Sequence, residues 1–108
     1  MVVGLAGCSG EPANEVVLYV SADRHVAEIV IDAFEEETGV RIRVVGDSEA
    51  LKTAGLVERL RREKDNPQAD VFWSSEVFMT IALAEEGVLA PYDSDAVGEW
   101  PAEMRDDE

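Results

Sequence analysis

Apolar and polar positions along this chain switch repeatedly between a strand-like and a helix-like period. Val16 to Val20 (Val-Val-Leu-Tyr-Val) is an unbroken β-branched and aromatic run, which predicts a first strand. Val26, Ile29, Val30, Ala33 and Phe34 then recur at helical spacing, with Glu28, Asp32, Glu35 and Glu36 mostly on the other face. Ser21 is a plausible N-cap for that helix, Asp23 suits its positive end, and Gly39 is its expected C′ residue. Val40 to Val45 alternates Val40, Ile42 and Val44 with Arg41 and Arg43, as a strand near a sheet edge does. A loop from Gly46 to Lys52 leads to a helix over Thr53 to Lys64, whose apolar side is Leu56, Val57 and Leu60.

The run Val71-Phe72-Trp73 follows the turn signal Asn66-Pro67 and reads as a short buried parallel strand. Ser74 or Ser75 can cap the helix predicted next, over Ser75 to Glu86, with Val77, Phe78, Ile81 and Ala84 as its apolar stripe and Gly87 as its stop. Val88-Leu89-Ala90, closed by Pro91, is expected to be a fourth strand. From Tyr92 onward Asp, Glu, Pro and Ala predominate, which predicts a mostly irregular acidic tail. The order β-α-β-α-β-α-β defines an α/β fold with a parallel sheet and helices on its faces.

At 108 residues the chain is long enough for one small domain, and 46% hydrophobic residues suit a packed core. Its 24 acidic and 9 basic residues give a net charge of −15. That charge speaks against nucleic acid or an anionic membrane surface as partner, since both reward clustered Lys and Arg. A single cysteine, Cys8, rules out an internal disulfide, and no CxxC, HExxH or Cys/His cluster is present. No apolar run reaches the roughly 18 residues needed to cross a bilayer. Enzymatic function finds little support: the sequence has no GxGxxG or GxxxxGK[ST] loop and no GxSxG elbow, and its one histidine, His25, has no obvious nucleophile partner.

The chemistry-bearing positions collect at strand–helix junctions. Ser21, Ala22 and Asp23 follow the first strand, Lys52 and Thr53 begin the second helix, and Ser74, Ser75 and Glu76 follow the third strand. In a parallel sheet these junctions share the carboxyl edge, where hydroxyls, main-chain N–H groups and helix N-termini can receive a carboxylate, phosphonate or other oxyanion. Taken one at a time, each is equally well an ordinary cap.

Leu5-Ala6-Gly7-Cys8 followed by Ser9 resembles a bacterial lipobox, which implies lipidation at Cys8, with Gly10 to Asn14 as a polar tether. The basic start and most of the apolar core of a signal peptide do not precede it, so this reading expects a start further upstream. The other reading is an apolar terminus with a free thiol.

Several longer stretches resemble bacterial extracellular solute-binding proteins. They are Val17 to Asp23, Ala33 to Val40, Thr53-Ala54-Gly55-Leu56, Asn66 to Ser74 and Glu86 to Tyr92. The nearest likeness is to the ferric-iron class of substrate-binding proteins of ABC transporters, over Val16 to Arg105. The resemblance implies a type II periplasmic-binding-protein fold: two lobes that close on a solute, in a considerably longer chain. Residues 16–92 would be part of lobe one, 1–15 a truncated signal, lipobox and tether, and 93–108 the acidic tail. Glu108 would fall before the crossover to the second lobe.

The resemblance further implies a binding protein rather than an enzyme. It would work in the periplasm or at the cell surface, lipid-anchored and without a cofactor. It would be a monomer when full length and deliver its solute to ABC permease subunits. The solute would be ferric iron or a related small anion, with a phosphonate-type relative or a non-functional fragment as alternatives. For ferric iron, the family pattern falls on Asp23 and near Glu76, with Ser75 in register and His25 two positions beyond Asp23. The family's tyrosine pair belongs to a region further along.

Overall fold

The computed structural model describes residues 14–46 and 52–105. They form β1 (Glu15–Val20), α1 (Arg24–Thr38), β2 (Arg41–Gly46), α2 (Lys52–Arg62), β3 (Val71–Trp73) and α3 (Val77–Glu85). Two 3-10 turns follow, at Asp95–Val97 and Ala102–Met104. The sheet is parallel, in the order β2-β1-β3, with Leu18 opposite Val44 on one side and Val71 on the other.

Side chains alternate across a strand, so β1, flanked on both sides, feeds two separate cores. Leu18 and Val20 pack with Ala27 and Ile31 of α1 on one face. Tyr19 packs with Leu56, Val57 and Leu60 of α2 and Leu83 of α3 on the other. The chain steps one way from β1 to β2 and then back across β1 to β3. With both crossovers of the same hand, this reversal sends α1 and α2 to opposite faces.

Tyr19 also fastens α2 to the sheet. Its hydroxyl donates to Glu63 Oε2 at 2.8 Å, Arg59 Nε donates to Glu63 Oε1 at 2.8 Å, and the Arg59 guanidinium lies 4.9 Å from the ring centre. Burial is the main cause that pushes the Tyr19 phenol above its ordinary value, and the bond to Glu63 adds to it. For Glu63, burial works upward, but the bonds from Arg59 and Tyr19 outweigh it and hold the carboxyl below its ordinary value. Between α2 and α3, Arg61 donates two bonds to Glu86, each 2.8 Å, and Lys64 donates to the Glu86 carbonyl.

The joint from α1 to β2 is short and tied. Gly39 takes the left-handed conformation (φ 74°) and its N–H donates to the Glu35 carbonyl. Thr38 Oγ1 donates to the Phe34 carbonyl and accepts from Val40 N–H. Glu35 Oε2 accepts from Ile42 N–H at 2.7 Å.

The structure corrects several sequence expectations. Val88-Leu89-Ala90 is not a strand, and the sheet has three strands. Gly87, also at φ 74°, turns the chain so that Val88 N–H closes onto the Leu83 carbonyl, while Val88 and Leu89 pack against the Tyr19 core. The α1 stripe is rotated: Ala27 and Ile31 are buried, whereas Val26, Ile29, Val30 and Phe34 are exposed. In α3 the buried residue is Leu83, and Val77, Phe78 and Ile81 face outward. Both helices carry apolar residues on more than one side, and spacing alone does not choose which side meets the sheet. The caps shift as well, from Ser21 to Asp23 for α1 and from Ser74 or Ser75 to Glu76 for α3.

Candidate functional site

The helix after β1 leaves on one face of the sheet, and the helices after both neighbouring strands leave on the other. The carboxyl end of β1 thus lies where the strand order reverses, the topological position where open α/β sheets take ligands.

On the β3 side the chain builds a serine bridge. Ser21 N–H extends the ladder by donating to the Trp73 carbonyl at 2.9 Å. Ser21 Oγ accepts from Ser75 N–H at 3.1 Å, and Ser75 Oγ donates to the Ser21 carbonyl at 3.2 Å. The two hydroxyl oxygens are 3.4 Å apart. Ser21 is the single buried polar residue among those described, 8% exposed, so these bonds form in a partly dry setting. Ser74 turns the chain into α3: its Oγ accepts from Glu76 N–H and donates to the Glu76 carbonyl. Glu76 Oε2 then accepts from Met79 N–H at 2.8 Å as the N-cap of α3.

On the β2 side a hollow of about 440 Å³ opens between the ends of β1 and β2. Ser21, Ala22 and Asp23 line it from β1, Val44 and Gly46 from β2, and Lys52 from the start of α2. This volume is in the range of small-solute sites. Asp23 Oδ1 accepts from His25 N–H at 2.9 Å and so caps α1. The sequence reading missed Arg24 and Glu28, which also border the hollow and pair with each other at 3.2 Å. Their i,i+4 spacing at the start of α1, beside Asp23, was the available signal.

Ser21 thus belongs to both features, bonded to Ser75 and lining, with Lys52, the hollow on the β2 side. Thr53 is half-buried one residue into α2, and Ser74, Ser75 and Glu76 lie outside the lining of the hollow. The Asp23 and Glu76 carboxylates each cap a helix, and His25 is exposed. Among the described residues no group of three or more His, Cys, Asp or Glu side chains could hold a metal ion. Cys8 lies outside the described residues. No helix among those described is long and apolar enough to cross a membrane.

The described residues thus place a buried serine and a lysine around one hollow at the carboxyl edge of a parallel sheet. The chain belongs to the bacterial extracellular solute-binding protein family, whose model matches residues 22–107. That family consists of binding proteins, not enzymes, that work outside the cytoplasm.

Among individual relatives, the chain is 38% identical over 74 residues to a putative 2-aminoethylphosphonate-binding periplasmic protein of Salmonella typhi. That match covers 68% of this chain and 20% of the relative. The fold is similar to Mannheimia haemolytica ferric iron-binding protein A in an open conformation, with a TM-score of 0.74 and 25% identity over 88% of this chain and 29% of that one. It is also similar to a Bordetella ferric binding protein, with a TM-score of 0.72 and 29% identity over 87% of this chain and 29% of that one. The chain therefore spans between a fifth and a third of the length of these relatives.

Proposed function

We propose that this chain forms the β1–β3 part of the first lobe of an ABC importer's solute-binding component, and that its solute is a small oxyanion of the phosphonate class. The observation that carries this reading is the Ser21 junction: a buried serine tied to Ser75 on one side and lining, on the other, a hollow edged by Lys52. Hydroxyls, N–H groups and an ammonium are the donors an oxyanion needs. The phosphonate-binding relative from Salmonella typhi supports the same ligand class. In this reading residues 16–92 are the lobe segment, Ser21, Ala22, Lys52 and Thr53 meet the solute, and Ser74 and Ser75 hold the junction. Cys8 carries a lipid anchor, and ABC permease subunits receive the solute.

A second reading, ferric iron, is supported by the structural likeness to ferric-binding proteins. It would draw on Asp23, Glu76 and His25, two of which already cap helices, and on ligands from elsewhere.

Titration calorimetry of this chain, and of a chimera joining it to the remainder of the Salmonella typhi relative, tests both readings. The probes are 2-aminoethylphosphonate, inorganic phosphate and ferric citrate. Saturable heat with the phosphonate, lost in Lys52→Ala, is expected. Saturation by ferric citrate alone would favour the second reading, and no heat from any of the three in a folded chimera would overturn both.

A further inference from the structure

We propose, resting on the oxyanion reading of the hollow, that Glu28 sets the charge type of the solute. It exchanges Arg24 for an ammonium group carried by the same small molecule whose oxyanion meets Lys52. The solute class is then narrower than an oxyanion: a zwitterion with a short apolar link between its two charges.

The hollow is lined by both signs of charge. Lys52 and Arg24 bring cations to it, and Asp23 and Glu28 bring carboxylates. The chain as a whole carries a net charge of −15. A bare anion approaches such a chain against its field, whereas a molecule whose charges cancel does not. Once inside, each end of a zwitterion meets a partner of opposite sign, and hydrogen bonds between charged groups are the strong ones.

The two carboxylates are not equally available. Asp23 is committed as the cap of α1, where its Oδ1 accepts from His25 N–H. Glu28 is held by Arg24 at 3.2 Å, and the two side chains are 61% and 91% exposed. An exposed i,i+4 pair of this kind contributes little, because water screens it and both long side chains lose freedom in forming it. Glu28 therefore changes partner at small cost, and Arg24 turns to water.

The position of Glu28 suits the same role. α1 returns from the carboxyl edge of the parallel sheet toward its amino edge. From Asp23 to Glu28 it advances about 7.5 Å, which sets Glu28 apart from Ser21 at the carboxyl end of β1. Ala27, Ile31 and Val44 give the hollow an apolar lining as well. A short alkyl chain joining an oxyanion to an ammonium fits that mixture of a few polar groups and apolar wall.

The test is titration calorimetry with 2-aminoethylphosphonate and ethylphosphonate, which differ in the ammonium, on the 108-residue chain and on the chimera described above. The aminophosphonate should bind at least about tenfold more tightly. Glu28→Gln should abolish that preference by weakening the aminophosphonate alone, and Arg24→Gln should preserve it. Glu28→Asp, which keeps the charge and shortens its reach, replaces Glu28→Gln if circular dichroism shows that variant unfolded, and should reduce the preference. Equal affinity of the two solutes for the wild type would overturn the proposal and leave the oxyanion reading standing. A preference that survives Glu28→Gln, or equal weakening of both solutes by it, would overturn the proposal too. Binding of neither solute by either protein would overturn the proposal and the oxyanion reading together.

Discussion

Ser75 and Ser21, 54 residues apart, are joined in both directions: Ser75 N–H donates to Ser21 Oγ, and Ser75 Oγ donates back to the Ser21 carbonyl. The pair locks the ends of β1 and β3 together where both chains leave the sheet. Ser21→Ala removes the acceptor for Ser75 N–H in a mostly buried place. It should cost about 1–3 kcal/mol, the usual penalty for orphaning such a donor. Chemical denaturation of Ser21→Ala and Ser75→Ala, read against the wild type, checks this. Ser75→Ala keeps its own N–H bond and should lose less. Equal losses would mean that the reciprocal bond back to the carbonyl matters as much as the buried acceptor.

Tyr19→Phe keeps the ring, and with it the packing against Leu56 and Leu83, but removes the bond to Glu63. Hydrogen bonds to charged partners contribute about 1.5–3 kcal/mol, so a loss in that range is expected in the denaturation midpoint. Tyr19→Ala removes the ring as well and should cost about 3–5 kcal/mol if it behaves as a large core aromatic.

Acid should weaken the fold through Glu63. Its carboxyl sits below its ordinary value when folded, so its contribution is fully present above the ordinary carboxylate range, around pH 4.3. It is lost as pH falls through the lower folded value, because the unfolded chain then binds more protons. Glu86, held low chiefly by its bonds from Arg61, follows the same sign. As an exposed pair it should fade with salt. Denaturation midpoints measured between pH 7 and pH 3 should fall, and Glu63→Gln should flatten that fall.

Leu83 and Phe78 lie on one short helix with opposite fates. Leu83 is fully buried and Phe78 is 77% exposed. Leu83→Ala should destabilise by about 2–5 kcal/mol, whereas Phe78→Ser should stay within about 0.5 kcal/mol. Comparable losses at the two positions would contradict the orientation of α3.

These helices also show what sequence could and could not supply. β1, β2, β3 and the face of α2 were legible because their apolar runs have one consistent period and clear punctuation, as at Gly39 and Asn66-Pro67. The buried faces of α1 and α3 were not, because Val26, Ile29 and Phe34 compete with Ala27 and Ile31. Which set is buried depends on where the sheet lies. The strand expected at Val88 to Ala90 failed for a related reason: pairing needs a neighbour, and composition does not provide one. At the site, the serines were visible as candidate caps. That Ser21 caps nothing and instead bonds to Ser75 is a long-range fact, beyond the reach of local patterns.

The tied joint between α1 and β2 has a mechanical corollary. Thr38, Gly39 and Glu35 fix the far end of the helix to the strand, so the two walls of the hollow behave as one rigid bracket. Among the described residues, Lys52, Arg24 and Glu28 edge that bracket with charged side chains. Any clamp that shuts over it must be a separate body that moves.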